Sequence, residues 1–394
     1  MSEERINFVG RVNWRGLNRP FGIRQNDRLA HTYVIGKTGT GKSSLLEGMI
    51  RQDVIAGNGL AVFDPHGDMA ERLDAWLPAA KKSDVIYLNV PDPEQPFGFN
   101  PLEGVAPLKR SLAANGIVEA LKKIFDDAWG IRLEYILRNA LLVLLEQPEA
   151  TLGDVVRLFH EKEFRKNAAE QCTNEHVKRF WLTEFEKYGR QRSEAITPIE
   201  NKLGSLLVDP YVSRILTVSK STFHPREVMD AGKILIVNLA KGKIGEAPSM
   251  LFGGLLMTML GLAGLARADV PQVNRRDFFI YVDEFHSVTT LALINMLAEL
   301  RKYRVGFALA NQFLDQIDSE LRSAILGNVG TLIVFRIGSL DAAKLVKELL
   351  PTLDPYELTL LPNRAFWIRP LVRGQSVEAF TGHTIAIENR DPKY

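Results

Sequence analysis

The chain has 394 residues, 46% hydrophobic and 24% charged, the composition of an ordinary soluble globular protein with room for one large α/β domain or two. Lysine and arginine total 49 against 47 aspartates and glutamates, so at a net charge of +2 any nucleic-acid binding must come from local placement of cations. The single cysteine, Cys172, excludes an intrachain disulfide framework and a cysteine-based zinc site. With no apolar signal core in Met1–Arg5, this predicts a cytoplasmic protein.

In chain order, the first strong element is the apolar run Tyr33-Val34-Ile35, followed by Gly36-Lys37-Thr38-Gly39-Thr40-Gly41-Lys42-Ser43 and then Ser44-Leu45-Leu46-Glu47-Gly48-Met49-Ile50. This is a strand, a glycine-rich loop and a helix. The glycines let consecutive backbone N–H groups curl around a polyphosphate, and the helix N-terminus faces the anion. Gly36, Lys37, Thr38, Gly39, Thr40, Gly41, Lys42, Ser43 and Ser44 are therefore the candidate nucleotide-binding residues. Lys42 reaches the β- and γ-phosphates, and the Ser43 hydroxyl sits on Mg²⁺.

Leu60–Phe63 and Val85–Leu88 read as short parallel strands, the first ending in Asp64-Pro65-His66-Gly67-Asp68. Residues 105–230 change character: Leu137, Leu141, Leu144 and Leu145 share a helical face, and Thr151-Leu152-Gly153-Asp154 predicts a helix start. Glu175–Trp181 reads as an amphipathic helix with a solvated basic face. The expected organisation is a first part of a nucleotide-binding domain over 1–104, an α-helical insertion over 105–230, and the second part of the domain over 231–394, ending in a short exposed tail at Arg390–Tyr394.

After the insertion, Lys233–Leu239 reads as a strand. Ser249–Ala266 carries no charge and has the length of a membrane span, but it holds Gly253, Gly254, Gly261 and Gly264 and lies between two predicted strands. The expectation is a helix buried between the sheet and a neighbouring subunit. Next, Phe278–Val282 is an apolar run ending in Asp283-Glu284, a buried strand whose carboxylates emerge at its C-terminal edge. Asp283 is the candidate Mg²⁺ holder and Glu284 the candidate general base for an attacking water, a pairing that favours hydrolysis over phosphate transfer to a small molecule. Val305–Ala310 and Thr331–Arg336 complete the predicted core strands.

Taken together, Arg28-Leu29-Ala30-His31, the phosphate loop, Asp64-Pro65-His66-Gly67, Phe99-Asn100-Pro101-Leu102, Asp283-Glu284, Leu300-Arg301-Lys302-Tyr303-Arg304 and Ala310-Asn311-Gln312 resemble the HerA/FtsK superfamily of DNA-pumping ATPases, most closely the conjugative coupling proteins. The resemblance spans residues 20 to 385. It implies an α/β fold with a RecA-like motor domain and a mostly parallel sheet, ATP and Mg²⁺ as ligands, a homo-hexameric ring and DNA as the cargo. It also implies that Gln312 contacts the γ-phosphate or its water, and that Arg301 is an arginine finger reaching a neighbouring subunit, with Lys302, Arg304 and Arg336 as other candidates. Lys220, Lys241 and Lys243 are candidate DNA-phosphate contacts. The chain departs from the family pattern in having neither a membrane helix before Arg28 nor a long N-terminal β-barrel, so it is read as a motor that does not insert into a membrane; a secretion-channel or other accessory protein remains a possible partner.

A secretion or assembly ATPase acting on protein, without DNA binding, stays open beside this reading, since one motor fold serves both. A GTPase switch is less well served: Asn201-Lys202-Leu203-Gly204 lacks the acid that guanine recognition requires. A two-domain RNA helicase is excluded by the short stretch of chain after Glu284.

Overall fold

A computed structural model describes residues 5–13, 18–125, 129–289, 292–349 and 353–385. The strands are β1 (Ile6–Val12), β2 (Pro20–Arg24), β3 (Thr32–Ile35), β4 (Gly59–Asp64), β5 (Val85–Asn89), β6 (Ile234–Asn238), β7 (Phe278–Val282), β8 (Val305–Asn311), β9 (Thr331–Val334), β10 (Ala365–Arg369), β11 (Leu371–Val372), β12 (Gln375–Ser376) and β13 (Phe380–His383). All but the β11–β12 hairpin join one 11-stranded sheet in the order β2-β1-β13-β10-β9-β3-β8-β7-β4-β6-β5. From β9 to β5 the strands are parallel, and β10, β13, β1 and β2 continue antiparallel.

The central strands β3, β4, β6, β7, β8 and β9 are buried along their whole length, as continuous apolar runs require when helices cover both faces. This is the RecA-like α/β architecture. Its register fixes the site: Ile35 lies opposite Asn311 and Val282 opposite Leu309, so the residues following β3, β7 and β8 emerge along one sheet edge. Phe63 opposite Val282 brings the end of β4 to the same place.

Among the described residues, 105–230 contain no strand. They form the helices Arg110–Ile124, Ile131–Leu144, Asp154–His160, Lys162–Gln171, Glu175–Arg179, Arg192–Leu207 and Pro210–Leu216, with a π turn at Phe180–Glu184 and shorter 3-10 turns between. The Thr151 N–H and hydroxyl donate to Asp154 Oδ2 at 2.7 and 3.1 Å, and the Asp154 N–H donates to the Thr151 carbonyl at 3.1 Å, tying the turn at the start of the helix. Phe180, Trp181 and Phe185 are buried together, and the Trp181 indole donates to the Asn139 carbonyl at 3.2 Å, while Arg179 stays exposed. The apolar core of these helices is continuous with the core beneath the sheet.

The uncharged segment forms the helix Glu246–Ala266, and here the expectation of a neighbouring subunit as its cover is corrected. It is long and apolar enough to span a membrane, but 72% of its most apolar window is buried inside this chain. The cover is the helix Arg110–Ile124, which approaches so closely that a Cβ on Gly116 would stand 2.2 Å from the Thr258 methyl. Nearby, a Cβ at Gly261 would meet the Met296 methyl at 2.1 Å. The small residues serve helix packing within the chain. The tail at Arg390–Tyr394 lies outside the described residues.

Candidate nucleotide site

The phosphate loop is pinned from both neighbouring strands. Gly36 N–H donates to the Asn311 carbonyl at 3.3 Å and Lys37 N–H to the Arg336 carbonyl at 2.9 Å. A Cβ at Gly36 would stand 2.5 Å from Phe335 Cβ, so no larger residue fits. Gly41 has φ 118°, a conformation closed to residues with a side chain, and it opens the helix Lys42–Ala56. Thr40 is held by its own hydroxyl, which donates to the Lys37 carbonyl at 2.7 Å. The result is a curled loop ahead of a long helix, a ready anion site.

Lys42 Nζ donates to the Gly36 carbonyl at 2.5 Å and lies 3.3 Å from that of Lys37. Burial lowers its pKa, against which the charges of Asp283 and Glu284 work. The Ser43 hydroxyl donates to Asp283 Oδ2 at 2.6 Å, which joins the two candidate metal oxygens across the sheet edge. That hard-oxygen pair is the donor set Mg²⁺ takes beside substrate phosphates. Burial also raises the pKa of Asp283, offset by the Ser43 bond and by Lys42.

Glu284 follows at φ 46°, left-handed and strained for a glutamate. The Asp283 carboxylate accepts its N–H at 3.0 Å and the Ser287 hydroxyl donates to its carbonyl at 2.8 Å, so the strained turn is over-determined. Its Oε1 accepts from Gln312 Nε2 at 3.0 Å. Oε2 is buried without a hydrogen-bond partner: His286 Nδ1, at 3.5 Å, is too distant, and burial keeps that ring neutral with a pKa lowered to about 4. Burial raises the pKa of the Glu284 carboxyl, while the Gln312 bond pulls the other way. Oε2 is thus a buried acceptor left unpaired, while the residue itself is part of the wall of the nucleotide cavity.

Lys42, Ser43, Asp283, Glu284 and Gln312 thus line one cavity of about 580 Å³ with Thr38, Gly39, Gly41 and Ser44. Lys37 faces an adjoining cleft beside Gln312 and Phe313. Three further residues enter from elsewhere in the chain. His66 arrives from the end of β4, and Asn363 and Arg364 from the turn before β10. His66 stood in a recognisable string; Arg364 had no signal in the sequence, because only the sheet order brings β10 beside β9.

Arg301 is not part of this constellation. It is exposed in the turn Leu300–Tyr303 that precedes β8, whereas Gln312 follows β8, so the strand's length of about 20 Å separates it from its own loop. Lys302 pairs with Glu299, Arg304 with Asp277, and Arg336 donates to Asn363 at 2.8 Å and to the Leu361 carbonyl at 3.2 Å. Lys243 pairs with Glu71 at 2.9 Å and Lys220 with Glu149 at 3.6 Å. Lys241 opens the short helix Lys241–Ile244, its N–H on the Pro65 carbonyl at 2.9 Å.

A phosphate loop on a RecA-like sheet, with an acidic pair and a polar amide at the same edge, defines a P-loop ATPase. Residues 18–251, more than half of the chain, match the model of the central domain of the helicase HerA, and the chain belongs to that family, a HerA/FtsK-type group of ATPases related to coupling proteins. Among solved structures, the bacterial conjugative coupling protein TrwB in its unbound form is 17% identical over 98% of this chain and 90% of that one, with a TM-score of 0.65. TrwB in complex with ADP and Mg²⁺ is 16% identical over 100% and 93%, with a TM-score of 0.65. VirB4 of Thermoanaerobacter pseudethanolicus is 12% identical over 98% of both chains, again at 0.65. No curated protein sequence matches the chain.

Proposed function

We propose that this chain is a ring-forming motor, a homo-hexamer in the cytoplasm, that couples ATP hydrolysis to translocation of DNA, and that a secretion-channel or other accessory protein is its further partner. The observation that carries the ring is the incomplete site: everything needed to bind and attack the nucleotide stands at one sheet edge, yet the candidate finger Arg301 is exposed at the opposite edge without an ion pair among the described residues. Head-to-tail packing brings such an edge against the next subunit's loop. Residues 1–104 and 231–394 are read as the two parts of the motor domain and 105–230 as its insertion.

ATP is the nucleotide. Lys42 and the loop N–H groups hold its β- and γ-phosphates, and Ser43 and Asp283 hold Mg²⁺, which when bound neutralises phosphate charge. The Glu284 carboxylate takes the proton from the attacking water. Gln312, bonded to Glu284 Oε1, fixes that carboxylate and offers its amide to the γ-phosphate or the water. A DNA-stimulated turnover with a steep salt dependence is the expected result, since backbone charge and not base readout holds the cargo; turnover indifferent to DNA sinks the proposal. One observation favours the protein-moving alternative: Lys220 and Lys243 are each engaged by a glutamate. Absence of DNA retention in filter binding, with partner-stimulated hydrolysis, would decide for it.

A further inference from the structure

We propose that Arg364 is a nucleotide-binding residue acting in cis, its guanidinium closing the cavity over Thr40, Gly41 and Ser44 and contacting the α- and β-phosphates of the nucleotide held by its own subunit, ADP as well as ATP. The proposal rests on the ATP-site reading above and adds to it a group from the C-terminal part of the chain.

The first support is the backbone. Arg364 N–H donates to the Thr40 carbonyl at 2.8 Å, a direct bond to the middle of the phosphate loop. Its carbonyl accepts from Thr384 N–H at 2.9 Å, and Arg336 holds the preceding turn through Leu361 and Asn363. The segment is therefore anchored from both sides, one of them the loop itself.

The second support is strain. Arg364 has φ 68°, in the left-handed region where a side chain costs about 1 kcal/mol and glycine costs nothing. An arginine kept there, at the wall of the nucleotide cavity, points to work done by the side chain. A Cβ built on Gly41 lies 3.4 Å from Arg364 Cα and 3.7 Å from its Cγ, so the side chain runs across the face of the loop and not away from it.

The third support is the missing partner. Arg28, Arg304 and Arg336 are all tied to acceptors, but the Arg364 guanidinium has no acceptor among the described residues and is exposed into the cavity. A planar fork of donors at the edge of an anion site is suited to bidentate phosphate contact. The γ-phosphate end is marked by Glu284 and Gln312; Arg364 stands by Thr40 and Gly41, where the loop turns into the helix and its N–H groups face the α- and β-phosphates.

The test uses the full chain. Arg364→Gly relieves the backbone strain while deleting the side chain, and is expected to weaken ADP and ATP binding together, by about tenfold each, as for one lost charge-assisted contact at a partly solvated site. Arg364→Lys is expected to recover part of that loss. In the unaltered protein, ADP is expected to slow modification of Arg364 by phenylglyoxal, read by mass spectrometry, and to leave exposed Arg179 unchanged. Unchanged ADP affinity in Arg364→Gly, or no protection of Arg364 by ADP, overturns the proposal. So does a variant that keeps ADP affinity and loses only ATP turnover, which would move the residue to the γ-phosphate or to the neighbouring site. Failure of both nucleotides to bind even the unaltered protein would instead overturn the ATP-site reading.

Discussion

Lys42 and Glu284 face one cavity and fail differently when removed. In Lys42→Ala the loop N–H groups alone confront the β- and γ-phosphates, and ATP affinity is expected to fall below detection in a fluorescent-nucleotide titration. Wild-type hydrolysis in that variant would mean that the site is elsewhere. Glu284→Gln keeps the shape and the Gln312 contact but deletes the acceptor that takes the proton. Turnover is expected to drop by roughly two or more orders of magnitude while ATP binding stays tight; stopped-flow binding beside steady-state turnover separates the two effects. The loss falls on the chemical step because the loop and the Ser43 and Asp283 oxygens are untouched.

At the scale of elements, the catalytic edge is held by ties to the rest of the fold. Lys123, at the end of the helix Arg110–Ile124, donates through Nζ to the carbonyls of His286, at short range, and Thr289 at 2.7 Å, bracing the turn that follows Glu284; burial lowers its pKa to about 8. Lys123→Met leaves two carbonyls without their donor, an expected cost of about 1–3 kcal/mol, felt at the turn. Turnover is expected to fall about tenfold with nucleotide affinity within about twofold; equal losses in both would assign Lys123 to general stability. At the opposite edge His31 joins β3 to β8. Its Nδ1 accepts from Phe307 N–H at 3.1 Å, so Nε2 carries the hydrogen and donates to the Leu297 carbonyl at 2.9 Å.

Burial lowers the His31 pKa from 6.5 to about 4. The unfolded chain therefore takes up this proton first as pH falls, and the folded chain only near pH 4. The contribution is fully present above about pH 6.5 and lost toward pH 4, about 3 kcal/mol in all. Urea midpoints at pH 7, 5.5 and 4.5 are expected to fall accordingly, and to fall less steeply in His31→Gln. An identical slope in that variant would place the pH dependence in other groups.

For the whole molecule the decisive matter is whether Arg301 completes a neighbour's site. Arg301→Ala alone is expected to bind ATP without cleaving it. Mixed in equal amounts with Lys42→Ala and allowed to re-form rings, it is expected to regain activity, because about one interface in four pairs an intact loop with an intact arginine. No recovery, with subunit exchange verified by mass, would count against action in trans. Its own loop lies the length of β8 away, so action within the subunit would then be structural only.

The local parts of this protein were legible because each is written in consecutive residues. Gly36–Ser43 carries its own conformational demands in its glycines, and β3, β4, β6, β7, β8 and β9 announce themselves as apolar runs because both faces of those strands are covered. The pairing of Asp283-Glu284 with that loop could be read from strand ends alone, since parallel strands deliver their C-termini to a common edge. β1 and β2 were not legible: they lie on the antiparallel flank, where β1 joins the sheet through β13, far away in sequence. The cover of the helix Glu246–Ala266 was misread for a related reason, because apolar surface states that something must pack on it and not what does. Only the fold put the helix Arg110–Ile124 there, placed Lys123 under the catalytic turn and set Arg364 against Thr40. Chemistry that lies within a few residues is fixed by the sequence, whereas contacts across the sheet depend on strand order, which no local pattern encodes.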